Sequence, residues 1–376
     1  MGDMPLECGR AWVEIDLDAL ACNLADIRSK LPKNNDIMAV VKANAYGHGA
    51  ERIAGRLAEE GVRAFAVATV TEGIKLRECI PDDSILVLGY THPKDMWCLS
   101  EYNLSQLVTD EDFAKKLNET GKKIKVHIAI DTGMRRLGME PSDFAKIESI
   151  FTFENLTVEG IATHLSSSDS KDKNDISFTN NQMEKFSELV QKLKDKGYNI
   201  GKQHAQASYG IYNYPEINLD FARPGIFLYG AYSRNDDAKI TGGLRPVLAL
   251  KALIAQVRWI KAGECVSYGR TYTAKEQIKL ATVNIGYADG IPRQMSSNGG
   301  YCIVGGVKVP IIGIITMDML MLDVTNAENV KAGDIATLIG KDKNEEILCS
   351  DLAEAAGTIT YDILAGLSSR LPRIYL

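Results

Sequence analysis

Short apolar segments and amphipathic helical segments alternate eight times in the first two-thirds of this 376-residue chain. Turn-forming residues separate each strand-like segment from the helix-like stretch after it. The clearest helix carries Met183, Phe186, Val190 and Leu193 on one face and ends near Gly197. The predicted strands are 37–41, 64–68, 85–88, 106–108, 125–130, 158–163, 203–207 and 218–222. This alternation predicts an α/β fold with a parallel sheet.

Eight strand–helix repeats in about 220 residues match a (β/α)8, or TIM, barrel. A doubly wound sheet is the alternative, but no GxGxxG turn follows the first strand. After about Thr241 the predicted strands follow one another without helices between them, and Gly305-Gly306 indicates a hairpin turn. These strands are 247–258, 278–285, 301–315, 320–324 and 335–339, followed by a short helix at 350–356. We therefore predict a barrel domain at 10–240 and a mostly β domain at 241–376, with the strand at 11–16 as a candidate to pack with the latter.

Composition excludes several classes of partner. The formal net charge of −6 and the lack of a basic block argue against nucleic acid and anionic membranes. No apolar stretch is long enough to span a bilayer, and residues 1–8 do not resemble a signal peptide. Seven dispersed cysteines are typical of reduced thiols in the cytoplasm, and five histidines without HxH or HxxxH spacing predict no metal site.

Lys42 is the most reactive candidate in the chain. It follows the apolar segment 37–41 and precedes small, turn-forming residues in the run AVVKANAYGHG at 39–49. A lysine that is partly removed from water loses some of its preference for the charged form, so its amine can act as a nucleophile near neutral pH. The alternative is an ordinary lysine whose amine reaches solvent from the end of a strand.

Other reactive side chains follow later predicted strands. Because active sites of TIM barrels lie at the carboxyl ends of the strands, side chains that follow different strands meet at one rim. Each of these residues alone is more often a surface arginine or a hydrogen-bonded core histidine, but together they predict a site. They are Arg136, His164, His204, Ser208 and Arg223, and Gly225 and Ile226 add backbone N–H groups where this fold often binds phosphate.

The run around Lys42 resembles the cofactor-binding lysine motif of the alanine racemase family, and further motifs extend the resemblance from about Arg10 to the C-terminus. The resemblance implies that Lys42 binds pyridoxal 5′-phosphate covalently, and that Arg223 hydrogen-bonds the pyridine nitrogen. A guanidinium stays protonated, so it leaves that nitrogen unprotonated and the ring a weaker electron sink. The remaining cofactor-binding residues implied are Tyr46, His164, His204, Ser208, Gly225, Ile226 and Tyr361.

Three segments of the second domain also resemble the family. Residues 265–272 resemble the segment with the tyrosine base, which makes Tyr268 the second catalytic residue beside Lys42. In the family this tyrosine comes from the partner subunit, which implies a homodimer with shared active sites. The alternative for Tyr268 is a core aromatic residue with a hydrogen-bonded hydroxyl. Residues 284–290 and 316–318 resemble substrate-binding segments, which together with Arg136 make Tyr287, Met317 and Asp318 the candidates for binding a small amino acid.

Three positions depart from the family pattern. Ala129 stands where many members carry a lysine, often carbamylated, so an anion or water is expected to take the place of that charge. Ile314 replaces an arginine near the substrate entrance. Leu165-Ser166 replaces Phe-Ala after the Thr163-His164 pair.

These departures bear on the substrate. The main prediction is an alanine racemase that supplies D-alanine for peptidoglycan. The first alternative is a serine racemase, since 65–75 and 88–94 also resemble the cytoplasmic racemase domain of membrane-bound serine racemases associated with vancomycin resistance. A chain that starts just before the strand at 11–16 would suit such a domain, whereas the bulky Tyr361 favours alanine. A non-catalytic cofactor carrier and a decarboxylase are weaker alternatives, because carriers lack the β domain and 349–351 matches decarboxylase motifs poorly.

Overall fold

The computed structural model describes residues 9–233 and 243–376. Eight parallel strands form a closed barrel, in which Asp36 of the first strand pairs with Phe221 of the last. The strands are Asp36–Val40, Ala64–Val67, Ser84–Val87, Ser105–Val108, Ile124–Ala129, Leu156–Ala162, Lys202–Ala207 and Phe221–Arg223. The predicted TIM barrel is confirmed. Only the eighth strand differs notably from its prediction, because it begins at Phe221 instead of 218 and includes Arg223.

Helices of the barrel unit connect these strands. The longest, Lys173–Asp195, begins at Asp172, whose side chain accepts a hydrogen bond from the backbone N–H of Asn174. Its apolar stripe is buried, and the chain leaves the helix through Gly197 at φ +83°. The other right-handed helices of five or more residues in the described part of this region are Leu17–Lys30, Ala50–Glu59, Val70–Arg77, Trp97–Glu101, Glu111–Glu119, Phe144–Ile150 and Ser208–Asn213.

A mostly β unit contains the C-terminal part of the chain, as predicted. Its sheet runs in the order Val307–Pro310, Tyr301–Val304, Ile335–Asp342, Leu248–Ile260, Ala11–Ile15 and Arg373–Tyr375. Ile278–Val283, Leu320–Asp323 and Glu345–Ile347 pair alongside this order. The hairpin at Gly305-Gly306 is confirmed, because Val304 pairs with Val307. The predicted segment 301–315 is therefore two strands and not one.

The chain divides into two compact units. The first unit comprises Leu24–Ala45 and Ala50–Leu228. The second comprises the described residues up to Asn23, the short segment Tyr46–Gly49, and the described residues from Tyr229 onwards. The strand Ala11–Ile15 belongs to the second unit, where it pairs antiparallel with Leu248–Ile260. The predicted domain boundary at 240/241 lies outside the described residues.

The second unit also contains elements that the sequence analysis did not separate. A two-stranded ribbon, Cys265–Val266 and Tyr272–Thr273, lies on either side of the 3-10 turn Tyr268–Arg270. Helix Cys349–Ala356 matches the prediction, whereas helix Thr360–Gly366 was not predicted. Across 9–233 and 243–376, no helix combines the length and apolar character needed to cross a membrane. The six cysteines of these ranges are all free thiols.

Candidate active site

Five of the predicted site residues lie at the carboxyl ends of barrel strands. Lys42 and His164 each follow a strand after one intervening residue, Ser208 comes directly after the seventh strand, and Arg223 is the last residue of the eighth. Arg136 lies in the exposed loop after Ile124–Ala129. His204 lies within the seventh strand and is fully buried. Since the strands are parallel, these strand ends meet at one mouth of the barrel.

Lys42 opens one turn of left-handed helix, which spans Lys42–Tyr46. Ala43, Asn44 and Ala45 have φ between 52° and 54°, and Tyr46 has φ 52°. Side chains with L configuration pay about 1–2 kcal/mol per residue for this conformation, and of the four only asparagine adopts it at all readily. The turn is nevertheless closed by a hydrogen bond of 2.8 Å from the N–H of Ala45 to the carbonyl of Val41. Tertiary contacts must therefore hold this segment.

The surroundings of Lys42 shift the pKa of its amine. Burial lowers its pKa, and the positive charge of Arg136 lowers it further, whereas the carboxylate of Glu72 acts in the opposite direction. The charge of Arg136 also lowers the pKa of His164 and of Arg223. Arg136 thus acts electrostatically on all three groups, two of which are in direct contact, because Nη2 of Arg223 lies 3.2 Å from Nδ1 of His164.

Arg223 is buried at the centre of a hydrogen-bond network. Its Nη1 lies 2.6 Å from Nδ1 of His204, and its Nη2 lies 2.8 Å from the carbonyl oxygen of Thr163 and 3.0 Å from that of Ala205. Nη2 also lies 3.2 Å from Nδ1 of His164. Burial lowers the pKa of Arg223 to about 10, which leaves it protonated at neutral pH. Its Nε–H and one Nη1–H make no hydrogen bond within the described chain, so both can donate to a ligand.

A third histidine extends this network. Nδ1 of His127 lies 2.8 Å from Nε2 of His204, and His127 is buried. Because arginine only donates, Nδ1 of His204 accepts from Arg223, which leaves Nε2 of His204 to donate to His127. Burial, reinforced by Arg223, lowers the pKa of His127 to about 4 and of His164 to about 3, and lowers that of His204 as well. These three, the barrel histidines, are therefore neutral at physiological pH.

Sequence reasoning missed His127 and Glu72. His127 lies within strand Ile124–Ala129, and only the fold shows that it faces His204. The sequence could have indicated Glu72, because Thr69 and Glu72 have the spacing of a helix capping box shortly after a barrel strand.

The loops after the seventh and eighth strands are joined at Ser208. Its Oγ accepts a hydrogen bond of 3.0 Å from the N–H of Gly225 and one of 3.4 Å from the N–H of Phe227. Ile226 begins the 3-10 turn Ile226–Tyr229. The N–H of Gly225, predicted to bind phosphate, is thus bonded to the hydroxyl of Ser208 in this structure.

The remaining candidates belong to the second unit. The rings of Tyr46 and Tyr361 lie with their centroids 5.9 Å apart, and burial raises the pKa of Tyr46. Tyr268 is 73% exposed, so the alternative of a core aromatic is wrong. Met317 and Tyr287 are exposed as well.

Backbone and side-chain hydrogen bonds connect the segments that carry Tyr268, Tyr287 and Met317. The carbonyl of Met317 accepts from the N–H of Ala288 at 3.0 Å, and Oγ of Ser267 donates to the carbonyl of Ile314 at 2.7 Å. Asp318 binds Nη2 of Arg370 at 2.7 Å. The three predicted motifs of the β domain are therefore neighbours within this unit.

Comparison with known proteins identifies the family. The family model described as alanine racemase, N-terminal domain, matches residues 15–233, and that of the alanine racemase C-terminal domain matches 247–375. The alanine racemase of Carboxydothermus hydrogenoformans is 39% identical over 369 residues, which cover 97% of this chain and 99% of that protein. An amino-acid racemase of Enterococcus faecalis is 41% identical over 363 residues, 96% of this chain, and the chain spans about half (51%) of that longer protein.

A solved structure agrees with both the fold and the sequence match. The alanine racemase from Bartonella henselae, solved with covalently bound pyridoxal phosphate, has a TM-score of 0.85 and 30% identity to this chain, with coverage of 98% of this chain and 100% of that one. Together the two family models match most of the chain. The N-terminal model covers the barrel strands, and the C-terminal model covers the β-rich part that follows them. The chain therefore belongs to the alanine racemase family and is an isomerase of that family.

Proposed function

We propose that this protein interconverts L- and D-alanine and that it uses pyridoxal 5′-phosphate bound covalently to Lys42. The observation that carries the proposal is a half-buried lysine with a lowered pKa at the mouth of the barrel, where the eighth strand ends in the buried Arg223 with hydrogens free to donate. The relatives named alanine racemase support the reaction, and the covalently bound cofactor of the Bartonella henselae enzyme supports the cofactor.

The residues present fit this cofactor. An amine with a lowered pKa condenses readily with an aldehyde, and Arg223 keeps N–H groups for an acceptor nitrogen. Ser208, Gly225 and Ile226 lie where this fold binds phosphate, and the resemblance adds Tyr46 and Tyr361. His164 and His204 hold the guanidinium of Arg223 in place. When bound, pyridoxal 5′-phosphate withdraws electron density from the α-carbon of an attached amino acid and so acidifies its α-proton.

Racemisation requires two proton-transfer groups on opposite faces of the α-carbon. We assign Nζ of Lys42 to one face and Oη of Tyr268 of the partner subunit to the other. One group removes the α-proton, and the other donates a proton from the opposite side, which inverts the configuration. This role accounts for the high exposure of Tyr268 in a single chain. It also requires a homodimer.

The substrate carboxylate needs cationic or N–H partners. Arg136 is the exposed cation that acts on Lys42. The candidates from the β unit are Tyr287 and Met317, and Asp318 through its backbone N–H, since its carboxylate binds Arg370. We place the reaction in the cytoplasm, where D-alanine is required for peptidoglycan precursors, in agreement with the six free thiols of the described residues.

Substitution of Lys42 tests the proposal. Purified Lys42→Ala should lose the absorbance of lysine-bound pyridoxal 5′-phosphate and the racemisation of alanine. The matched control is Lys33→Ala, an exposed lysine that should keep both. If Lys42→Ala retains the absorbance band and the activity, the assignment is wrong.

Serine is the second candidate substrate. The Enterococcus faecalis relative at 41% identity is named an amino-acid racemase, which does not specify the substrate. The replacement of arginine by Ile314 favours serine, whereas the aromatic Tyr361 favours alanine. The ratio of kcat/KM for L-alanine and L-serine decides between them. A pocket that must reject an added hydroxyl discriminates only by about 100-fold, so a ratio above one but within that range is the expected result. Cofactor binding without either activity would support the carrier alternative.

A further inference from the structure

We propose that Glu72 is a positioning residue for Lys42. Its carboxylate holds the left-handed turn that follows the lysine. This inference rests on the proposed role of Lys42 and adds a residue to which neither the sequence motifs nor the comparisons assign a role.

One oxygen of the Glu72 carboxylate caps the N-terminus of the helix that contains Glu72. Oε2 accepts hydrogen bonds from the N–H of Ala68 at 2.7 Å and of Thr69 at 3.3 Å, while Oγ1 of Thr69 accepts from the N–H of Glu72 at 3.2 Å. This capping box satisfies backbone donors at the beginning of helix Val70–Arg77. It uses only one of the two carboxylate oxygens.

The other oxygen reaches the lysine segment. Oε1 of Glu72 accepts a hydrogen bond of 2.7 Å from the N–H of Ala43, which is the peptide directly after Lys42. The capping box does not need this bond. The strands that precede the two segments are neighbours in the barrel, where Met38 pairs with Ala64. Glu72 therefore joins the ends of two adjacent strands through one carboxylate.

The bond acts on a segment that needs support. Four consecutive residues, Ala43 to Tyr46, have positive φ, and only Asn44 is of a type that favours it. Other hydrogen bonds of this segment include Ala45 N–H to the Val41 carbonyl and Ala50 N–H to Oδ1 of Asn44, both with neutral acceptors. The bond to Glu72 has a charged acceptor, and charge-assisted bonds are the stronger kind.

The carboxylate also acts through its charge. Among the described residues, the charged and titratable groups that act on Lys42 or are acted on by it are Arg136, Glu72 and His164, and His164 is neutral at physiological pH. Burial and Arg136 both lower the pKa of Lys42, whereas Glu72 raises it. Loss of this carboxylate should therefore lower the pKa of Lys42 further.

The test measures covalent attachment of pyridoxal 5′-phosphate to the cofactor-free protein as a function of pH, with reduction and mass mapping to identify Lys42. Glu72→Gln keeps the size of the side chain but removes its charge. Attachment should become about tenfold slower, which corresponds to one lost charge-assisted hydrogen bond, and its pH midpoint should move to lower pH. Thr69→Ala breaks the capping box and leaves the bond to Ala43. It should lower the melting temperature without changing the rate or the midpoint.

A rescue experiment separates geometry from charge. Glycine adopts left-handed conformations without steric cost, so Glu72→Gln/Ala43→Gly should recover the rate and keep the lowered midpoint. If Glu72→Gln does not fold, Glu72→Asp replaces it; it keeps the charge with a shorter reach, and should slow attachment without lowering the midpoint. Equal rates and midpoints in Glu72→Gln and Thr69→Ala would overturn the inference, since Glu72 would then be only a helix cap. Absence of attachment to Lys42 in the unsubstituted protein would instead overturn the proposed function.

Discussion

Gly160→Ala should destabilise the barrel far more than a glycine-to-alanine change normally does. Gly160 pairs with His127 on one side and with Lys202 on the other, and a Cβ at this position would lie 2.3 Å from Nδ1 of His127 and 2.6 Å from the carbonyl oxygen of Lys202. The backbone oxygen cannot move without distorting the sheet. The imidazole can move only by losing its 2.8 Å bond to His204.

The structure sets the size of the effect. Overpacking of a well-packed interior costs about 1–3 kcal/mol, and a buried polar group without its partner costs about 1–3 kcal/mol more. The sum is about 2–6 kcal/mol, which corresponds to a melting temperature lower by roughly 5–20 °C for a unit of this size. Thermal unfolding followed by circular dichroism measures the change.

Gly55→Ala is the matched control. Gly55 lies in helix Ala50–Glu59, and an added Cβ there meets no atom within 4 Å. Alanine is the better helix former, so this variant should be unchanged or more stable by up to about 1 kcal/mol. The double variant Gly160→Ala/His127→Ala should recover part of the loss, because it removes the imidazole but not the contact with Lys202. If Gly160→Ala melts within about 3 °C of Gly55→Ala, the shift that about 1 kcal/mol produces in a unit of this size, the packing around His127 is not as described.

Three further predictions concern other parts of the molecule. The barrel histidines have lowered pKa values when folded, so the unfolded chain binds more protons below about pH 6.5. As the pH falls from there to about 4, the free energy of unfolding should therefore decrease by up to about 1.4 kcal/mol per pH unit for each of them. Urea unfolding at several pH values measures this, and a free energy of unfolding that stays constant over this range would contradict it. Tyr268→Phe should slow solvent-deuterium exchange at the α-carbon from one isomer of alanine more than from the other, and equal slowing would contradict the two-base assignment. Asp289→Asn should lower the melting temperature, because Asp289 is fully buried and binds Nη2 of Arg10 at 2.7 Å; the loss of a charged hydrogen bond costs about 1.5–3 kcal/mol, and an unchanged melting temperature would show that the pair contributes nothing.

The alternation of strands and helices was readable from the sequence because each barrel strand is buried on both faces and each helix on one. The prediction was least accurate for the eighth strand, since this strand is only three residues long and ends on a charged residue, Arg223. Strand Arg373–Tyr375 gives no such local signal. It exists because it pairs in parallel with Ala11–Ile15, at the opposite end of the sequence.

The sequence indicated the individual site residues, but it did not predict how they are arranged in space. The segment after Lys42 contains two alanines and a tyrosine, and no local preference predicts positive φ for these residue types. A bond to Glu72, 29 positions along the chain, selects that conformation. Likewise, the tautomer of His204 follows from partners on two other strands. Such long-range contacts leave no periodicity in the sequence.

The barrel histidines also limit which groups can carry protons in the reaction. Each is held neutral by burial and by Arg223, whose charge persists at neutral pH. A histidine with a pKa of about 3 or 4 holds almost no proton at pH 7 and so cannot act as a general acid there. This agrees with the proposed assignment of proton transfer to Lys42 and Tyr268. We therefore expect the pH dependence of kcat/KM for alanine to show no histidine inflection between about pH 5 and 8. An inflection in that range that disappears in His164→Asn, but persists in His92→Asn, would contradict this division of roles.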